Sequence, residues 1–273
     1  MASGHYCAYC FLSDRIDDIY TPGFTEREAS FYCTLINELI PEGEIINLLE
    51  VGCGSGRIIG NVFEKLTGAG RQVEAIGVDI CPTMVEIAKR NYHYPELHFD
   101  KLDFPEETQG LEKNPFNIVL LIQSVILHRQ DIDSLTDLPS RKMLEEIKRL
   151  LAPGGLLILD VVRYERWGEG STRRPLTRGM KFQSGGLTCI FSNGKESIFR
   201  ETEFEKRRER VRYWRVSANR PGAPFVSPWL LRYIAFPEEI RSWLSEEGYK
   251  IRRVRYGYGE EDEGRLVLLV SIS

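Results

Sequence analysis

From residue 45 to residue 163, short apolar runs alternate with amphipathic stretches, and that alternation predicts the architecture. Ile45 to Val51 is a nearly continuous apolar run of strand length, the pattern of a strand buried on both faces. Arg57 to Leu66 has the spacing of a helix, and Val73 to Val78 reads as a second strand. Pro82 to Asn91 reads as a helix with proline in its first turn, where the missing N–H has no helical partner to lose. Leu97 to Phe99 and Phe116 to Ile122 read as strands three and four. Ser140 to Leu151 puts Met143, Leu144, Ile147, Leu150 and Leu151 on one helical face. Pro153-Gly154-Gly155 is expected to end that helix, with Leu156 to Val162 as strand five. Thr25 to Leu39 is expected to be a further helix packed on the sheet. Strands alternating with helices imply βαβ units and a doubly wound α/β sheet.

Past residue 163 the pattern changes. Residues 166–235 are rich in Arg, Gly, Ser and aromatics, with strand-like stretches at Leu187–Phe191, Ser197–Arg200 and Val211–Ser217. They read as an antiparallel β insertion into a domain formed by residues 1–165 and 236–273. Phe236 opens another helix through Leu244, and Gly248 is its expected stop. Ile251–Tyr256 and Leu266–Ile272 then form two strands, with the glycine-bearing acidic turn 257–264 between them predicting a hairpin.

Composition narrows the function classes. The 273 residues are 42% hydrophobic and 28% charged, enough apolar material for a core that needs neither disulfide nor metal. A net charge of −4 lacks the basic surplus of an electrostatic nucleic-acid binder. The first ten residues carry no basic and apolar signal pattern, and the longest apolar stretch, Ile118 to Leu127, is broken by Gln123 and Ser124. A soluble cytoplasmic protein is therefore expected. Cys7 and Cys10 form a C-x-x-C near His5 with no second pair at zinc spacing, so reduced, partly buried thiols are expected and no metal site.

The strongest local signal is Leu49-Glu50-Val51-Gly52-Cys53-Gly54-Ser55-Gly56-Arg57, at the end of strand one. Such glycines allow a tight turn and a ligand close to the backbone. A dinucleotide fingerprint needs a small residue where Arg57 stands, and no Gly-Lys-Ser/Thr follows for a phosphate loop. Glu50 would repel a pyrophosphate, and suits a ligand bearing an ammonium and a sulfonium. Asp79 follows strand two in Gly77-Val78-Asp79-Ile80, where an acid can accept bonds from both ribose hydroxyls. Asp103, in Leu102-Asp103-Phe104 after strand three, can accept from an exocyclic adenine amine. Each acid alone also reads as a solvated loop residue; the ordered trio is far more specific.

On these motifs, the apolar fourth strand and Leu150–Leu156, the chain resembles the class I S-adenosylmethionine-dependent methyltransferases over about residues 45–163 and again over its last forty or so. The resemblance implies a Rossmann-like seven-stranded sheet, order 3-2-1-4-5-7-6 with strand seven antiparallel, and S-adenosyl-L-methionine as cofactor. It further implies that Glu50, Gly52, Cys53, Gly54 and Gly56 line the methionine end of the cofactor. Asp79 and Ile80 then belong at the ribose, and Leu102, Asp103 and Phe104 at the adenine, with Met84 either covering the other adenine face or simply core. Members of the family often have an acid where strand four begins; this chain has Asn117.

The loop Gln123-Ser124-Val125-Ile126-Leu127-His128 lacks the Asp/Asn-Pro-Pro-aromatic tetrapeptide of nucleic-acid amino-methyltransferases. It resembles the loop of small-molecule methyltransferases, in which a His often stands at this place. Gln123 and Ser124 are expected at the cofactor's amino-acid end. His128 is the candidate general base, because imidazole titrates near neutrality, with a structural His as the alternative. Among the N-terminal aromatics Tyr6, Tyr9, Tyr20, Phe24, Phe31 and Tyr32, Tyr20 is the candidate lid residue, with plain packing of the helix on the sheet as the alternative. Arg208, Arg210 and Arg212 share one face if they lie on a strand, to attract an acidic substrate or RNA, or to stand as a solvated face balanced by the acids at 201–209. Tyr213, Trp214, Trp229 and Tyr233 are candidate aromatic walls of a substrate pocket capped by the insertion. The expected partner is a small-molecule methyl acceptor, with no nucleic acid and no membrane, the protein being a monomer or homodimer. The alternatives are a non-catalytic S-adenosylmethionine-binding protein, an RNA or protein methyltransferase, and a dinucleotide-dependent dehydrogenase.

Overall fold

The computed structural model describes residues 8–20, 22–113, 115–129, 137–163, 183–205, 207–258 and 264–272. His5, Tyr6, Cys7, residues 166–182 of the expected insertion, Lys206 and most of the acidic turn lie outside the described residues. In chain order the elements are α1 (Ile16–Ile19), α2 (Pro22–Leu39), β1 (Ile46–Val51), α3 (Arg57–Gly68), β2 (Val73–Asp79), α4 (Pro82–Asn91), β3 (Leu97–Lys101), β4 (Phe116–Leu121), β5 (His128–Arg129), α5 (Leu138–Leu150) and β6 (Leu151–Val162). There follow β7 (Gln183–Ser192), β8 (Glu196–Glu205), β9 (Arg208–Ser217), β10 (Arg220–Val226), β11 (Leu230–Tyr233), α6 (Pro237–Glu246), β12 (Tyr249–Tyr256) and β13 (Arg265–Ile272).

A seven-stranded sheet runs β12-β13-β6-β4-β1-β2-β3. In the order of its own strands this is 3-2-1-4-5-7-6, as the resemblance implied. β1, β2, β3, β4 and β6 are parallel, whereas β13 is antiparallel to both β6 and β12. Its strands alternate inward residues to two cores. Leu48, Ile118 and Leu120 face α2, α3 and α4, while Leu49, Val119 and Leu121 face α5 and α6. All six are fully buried, and each such side chain contributes about 1.5–3 kcal/mol. Burial on both faces is what makes these strands continuously apolar in sequence.

Several boundaries differ from expectation. Pro153-Gly154-Gly155 lies inside β6, which begins at Leu151 directly after α5. There the β4–β6 register slips between Phe116↔Leu151 and Ile118↔Leu156. Gly154 has φ +78°, and a Cβ on Gly155 would lie 2.8 Å from the Phe116 carbonyl oxygen, so the glycines form a bulge against the neighbouring strand. Proline without an N–H ends the helix but does not exclude an extended chain. The helix expected from Thr25 starts at Pro22. Asn117 takes the place of the family's acid: its Oδ1 accepts from Asn47 N at 2.9 Å and its Nδ2 donates to Ile45 O at 2.7 Å. An amide thus ties β4 to β1 through both of its atoms.

The second sheet runs β5-β11-β9-β8-β7, with β10 paired on β9. Its strands extend well beyond the three apolar stretches read from sequence, because pairs of opposite charge continue them. Arg212 meets Glu201 at 2.6 Å and Arg210 pairs with Glu203 across β8 and β9, which corresponds to the balanced face rather than an unpaired basic one. On β9, Glu209, Val211 and Tyr213 point the other way and are buried. β5, a two-residue strand just after β4, pairs with β11 and so joins this sheet to the main domain.

Candidate active site

β1 delivers Glu50 and the glycine loop. Glu50 is 3% exposed, and its Oε2 accepts from Ile59 N in the first turn of α3 at 2.9 Å. Burial pushes its carboxyl up to about 8, against the opposing pull of that backbone bond and of Arg57. The loop turns back on β2, with Gly52 N and Cys53 N both donating to Val78 O at 2.8 and 3.0 Å. Gly52 has φ +75°, and a Cβ there would lie 2.6 Å from the Val125 side chain, so only glycine fits.

β2 delivers Asp79, whose two oxygens accept from Gly54 N and Cys81 N, each at 2.8 Å. One carboxylate thus links the glycine loop to the start of α4. A carboxylate has about four acceptor positions, so these bonds are compatible with ribose hydroxyls on the same group. After β3, Leu102 N donates to Asp79 O at 3.0 Å, which sets Asp103 and Phe104 beside it.

These pieces border one cavity of about 420 Å³, within the range of about 300–1,000 Å³ for small-molecule sites. Tyr20, Glu50, Gly52, Cys53, Gly54, Asp79, Ile80, Met84, Leu102, Asp103, Phe104, Gln123 and His128 all line it. Gly56 and Ser124 are not among the lining residues. Gly56, at φ +75°, has its Cβ position 2.8 Å from the Phe99 ring, so glycine there allows α3 to pack against β3. Ser124 is buried: its Oγ accepts from Val162 N at 2.9 Å and from Arg265 Nη1 at 3.2 Å. Of the candidate aromatic walls, Trp229 alone lines the cavity among the four named. Tyr213 and Tyr233 lie in the cores, and Trp214 Nε1 donates to Glu201 at 2.6 Å.

Sequence reasoning missed a buried polar cluster under the loop after β4. Gln123 and Ser124 have φ +54° and +64°, a left-handed turn that costs non-glycine residues energy. Asp160 of β6, fully buried, accepts from Gln123 N at 3.3 Å and Tyr32 OH at 3.1 Å, and also from Tyr258 OH. Arg265 lies 3.6 Å from its other oxygen and also donates to Gln123 Oε1. Although burial opposes it, the Asp160 carboxylate holds Arg265 above the ordinary arginine range. Glu28, also fully buried, takes Gln123 Nε2 on one oxygen and Arg57 Nη1 at 2.5 Å on the other. Arg57 in turn stacks its guanidinium 4.5 Å from the Tyr20 ring centre and lines the cavity. The signal was present: Asp160 is the one charged residue in the apolar run Leu156–Val162, and a charge inside a doubly covered strand needs partners.

His128 lies on β5 opposite Arg232 of β11, with its Nε2 3.1 Å from Arg232 Nε. Its ring stacks on Tyr9, centroids 6.1 Å apart. Tyr9, Val125, Met143 and Pro228–Leu231 border the same cavity around it. Among the described residues no helix is long and apolar enough to cross a membrane.

A family described as "Methyltransferase domain" matches residues 43–187, more than half of the chain. Among curated proteins, the non-reducing polyketide synthase mapC of Penicillium roqueforti is 24% identical over 152 residues, 53% of this chain but 6% of the synthase. The matched stretch thus spans a small fraction of that relative's length. Among solved structures, the CcbJ methyltransferase of Streptomyces caelestis superposes with a TM-score of 0.72 at 14% identity, covering 98% of this chain and 99% of that one. CalS10, an amino pentose methyltransferase from Micromonospora echinaspora, gives 0.58 at 18% identity, covering 97% and 95%. The structural likenesses establish the fold, and the family match adds the lineage: the chain belongs to the methyltransferase domain family, the class I S-adenosylmethionine-dependent methyltransferases that its sequence resembles.

Proposed function

We propose that the protein binds S-adenosylmethionine along the carboxyl ends of β1–β3 and transfers its methyl group to a small molecule entering beside His128, Tyr9 and Trp229. The observation that carries this reading is a single cavity bordered by Glu50, Asp79 and Asp103 and by those three rings. The donor set suits the cofactor. Glu50, raised by burial, is returned to its ionised form by an arriving ammonium, and the Gly52–Gly54 backbone leaves room for the methionine chain. Asp79 holds the ribose, while Leu102, Asp103, Phe104, Ile80 and Met84 frame the adenine. Gln123, clamped by Glu28 and Arg265, meets the amino-acid end. The bound cofactor supplies a methyl group already activated by a sulfonium, so the protein's share is alignment and exclusion of water. Tyr20 and the segment from Ala8 close the cavity, and the second sheet caps the acceptor's side. We further propose a cytoplasmic enzyme acting as a monomer or homodimer, with no nucleic-acid partner.

Calorimetric titration with S-adenosylmethionine and S-adenosylhomocysteine tests this. Micromolar binding is expected in the wild type, weakened about 100-fold in Asp79→Ala through loss of charge-assisted bonds. No binding to the wild type contradicts the proposal.

A further inference from the structure

S-adenosylmethionine carries a zwitterion at its amino-acid end. Glu50 suits the ammonium; the carboxylate needs a cation. Among the described residues that border the cavity, Arg57 is the one arginine or lysine. It is the first residue of α3, directly after the glycine loop, so Glu50 and Arg57 stand at the two ends of one turn. Burial pushes the Glu50 carboxyl up and the Arg57 charge pulls against it, which places the two within electrostatic reach. The positive end of the α3 dipole lies at the same point, where Gly56 as N-cap brings no side chain to the first turn.

The Arg57 side chain is held in place. Its Nη1 donates to Glu28 at 2.5 Å and to Thr25 at 3.2 Å, both on α2. Its guanidinium lies 4.5 Å from the Tyr20 ring centre and 5.7 Å from that of Phe24. A guanidinium carries five donors on three nitrogens in a flat fork, and both bonds from α2 fall on Nη1. Stacking uses the face of that fork and hydrogen bonding its edge, so Tyr20 fixes the plane without taking a donor. A carboxylate can meet such an edge with two parallel bonds. The side chain is 12% exposed, so a charge brought to it is weakly screened. Glu28, which orients Arg57, also takes Gln123 Nε2, so the arginine and the turn after β4 share one buried anchor.

Resting on the cofactor reading above, we infer that Arg57 is the specificity-determining residue for the cofactor's amino-acid end. It takes the methionine carboxylate on the edge of its guanidinium, while Tyr20 holds its plane and Glu28 acts as its positioning residue. The site thereby selects adenosyl ligands that carry a complete amino acid over those that carry the amine alone.

Calorimetry with two ligands tests this. One is S-adenosylhomocysteine; the other, S-adenosyl-3-thiopropylamine, lacks only its carboxylate. The wild type is expected to prefer S-adenosylhomocysteine by about 50-fold. In Arg57→Gln the preference should fall to about threefold, through weaker S-adenosylhomocysteine, with the amine analogue staying within about twofold of its wild-type affinity. A merely structural role for Arg57 would weaken both ligands alike. Arg57→Lys keeps the charge without the flat fork and should retain part of the preference. Because Arg57→Gln leaves Glu28 buried without its counter-charge, the double variant Glu28→Gln/Arg57→Gln repeats the comparison with neither charge present. Wild-type affinities for the two ligands within about threefold of each other overturn the inference, as does a full preference surviving in the double variant. Equal binding of both ligands is a failure of this inference alone, whereas binding of neither is a failure of the cofactor reading beneath it.

Discussion

At the carboxyl ends of β1, β2 and β3, each acid lining the cavity is placed by its own strand: Glu50 and Asp79 at the ends of β1 and β2, and Asp103 two residues past β3. Around His128 the same cavity is closed by residues 9, 128, 143 and 228–231, brought together from the N-terminal segment, the loop after β4, α5 and β11. The first region is local, and its chemistry is written in short motifs. The second exists only after two sheets have joined through the β5–β11 pair. A binding region fixed by one strand-to-helix turn tolerates change elsewhere; one assembled from four segments depends on whatever holds those segments.

Four measurements sharpen or break that contrast. The largest effect is expected at the shared support, Asp160. Asp160→Asn leaves Arg265 without its buried counter-charge and Gln123 without part of its clamp. It should cost about 3–5 kcal/mol of unfolding free energy, read by urea titration. A loss below 1 kcal/mol would mean that the left-handed turn at Gln123 and Ser124 does not rest on this cluster.

Trp229→Ala should separate the two regions. Removing one aromatic wall should weaken 4-nitrophenol, a flat aromatic probe of the acceptor's side, by about 30-fold, close to 2 kcal/mol, while S-adenosylhomocysteine affinity stays within about twofold. Equal loss of both ligands would show that the regions are not independent.

Gly56→Ala makes the complementary cut. The new Cβ meets the Phe99 ring at a φ of +75°, so about 1–2 kcal/mol of stability should be lost. Cofactor affinity of the folded protein should change little, since Gly56 does not line the cavity. A large loss of affinity at unchanged stability would return Gly56 to the ligand.

The smallest effect is a slope. In the folded protein burial raises the Glu50 carboxyl to about 8 from 4.5, so folding takes up a proton between those values. Its contribution is therefore fully present below about pH 4.5 and is lost as pH rises through about 8. Glu50→Gln should flatten the fall in thermal stability across that window and weaken S-adenosylhomocysteine about tenfold. An unchanged slope would place the titrating group elsewhere.

The same contrast decides what was legible in the sequence. The strands and all three acids could be read, because buried parallel strands are continuously apolar and the acids stand at or just past their carboxyl ends; the strand order came from the family resemblance. The motif shows that a glycine is required at Gly56 without showing that the Phe99 ring is what crowds it. Pro153-Gly154-Gly155 read as a terminator because Pro and Gly mark both helix ends and bulges, and only pairing with β4 tells them apart. Trp229 could be named as an aromatic wall but not told apart from Tyr213, Trp214 and Tyr233, and Glu209 and Arg232 carried no local signal, since Arg232 meets Tyr9 and His128 only in the folded chain. Asp160 could have been found from its charge in an apolar run, but its partners Tyr32, Tyr258 and Arg265 could not.

The central claim, a cofactor held at the carboxyl ends of β1–β3, is tested most directly by amide hydrogen exchange with and without S-adenosylhomocysteine. The account predicts added protection in peptides covering 49–57, 78–84 and 102–104, with β8 and β9 unchanged. Protection absent there, or centred on the second sheet, would contradict it.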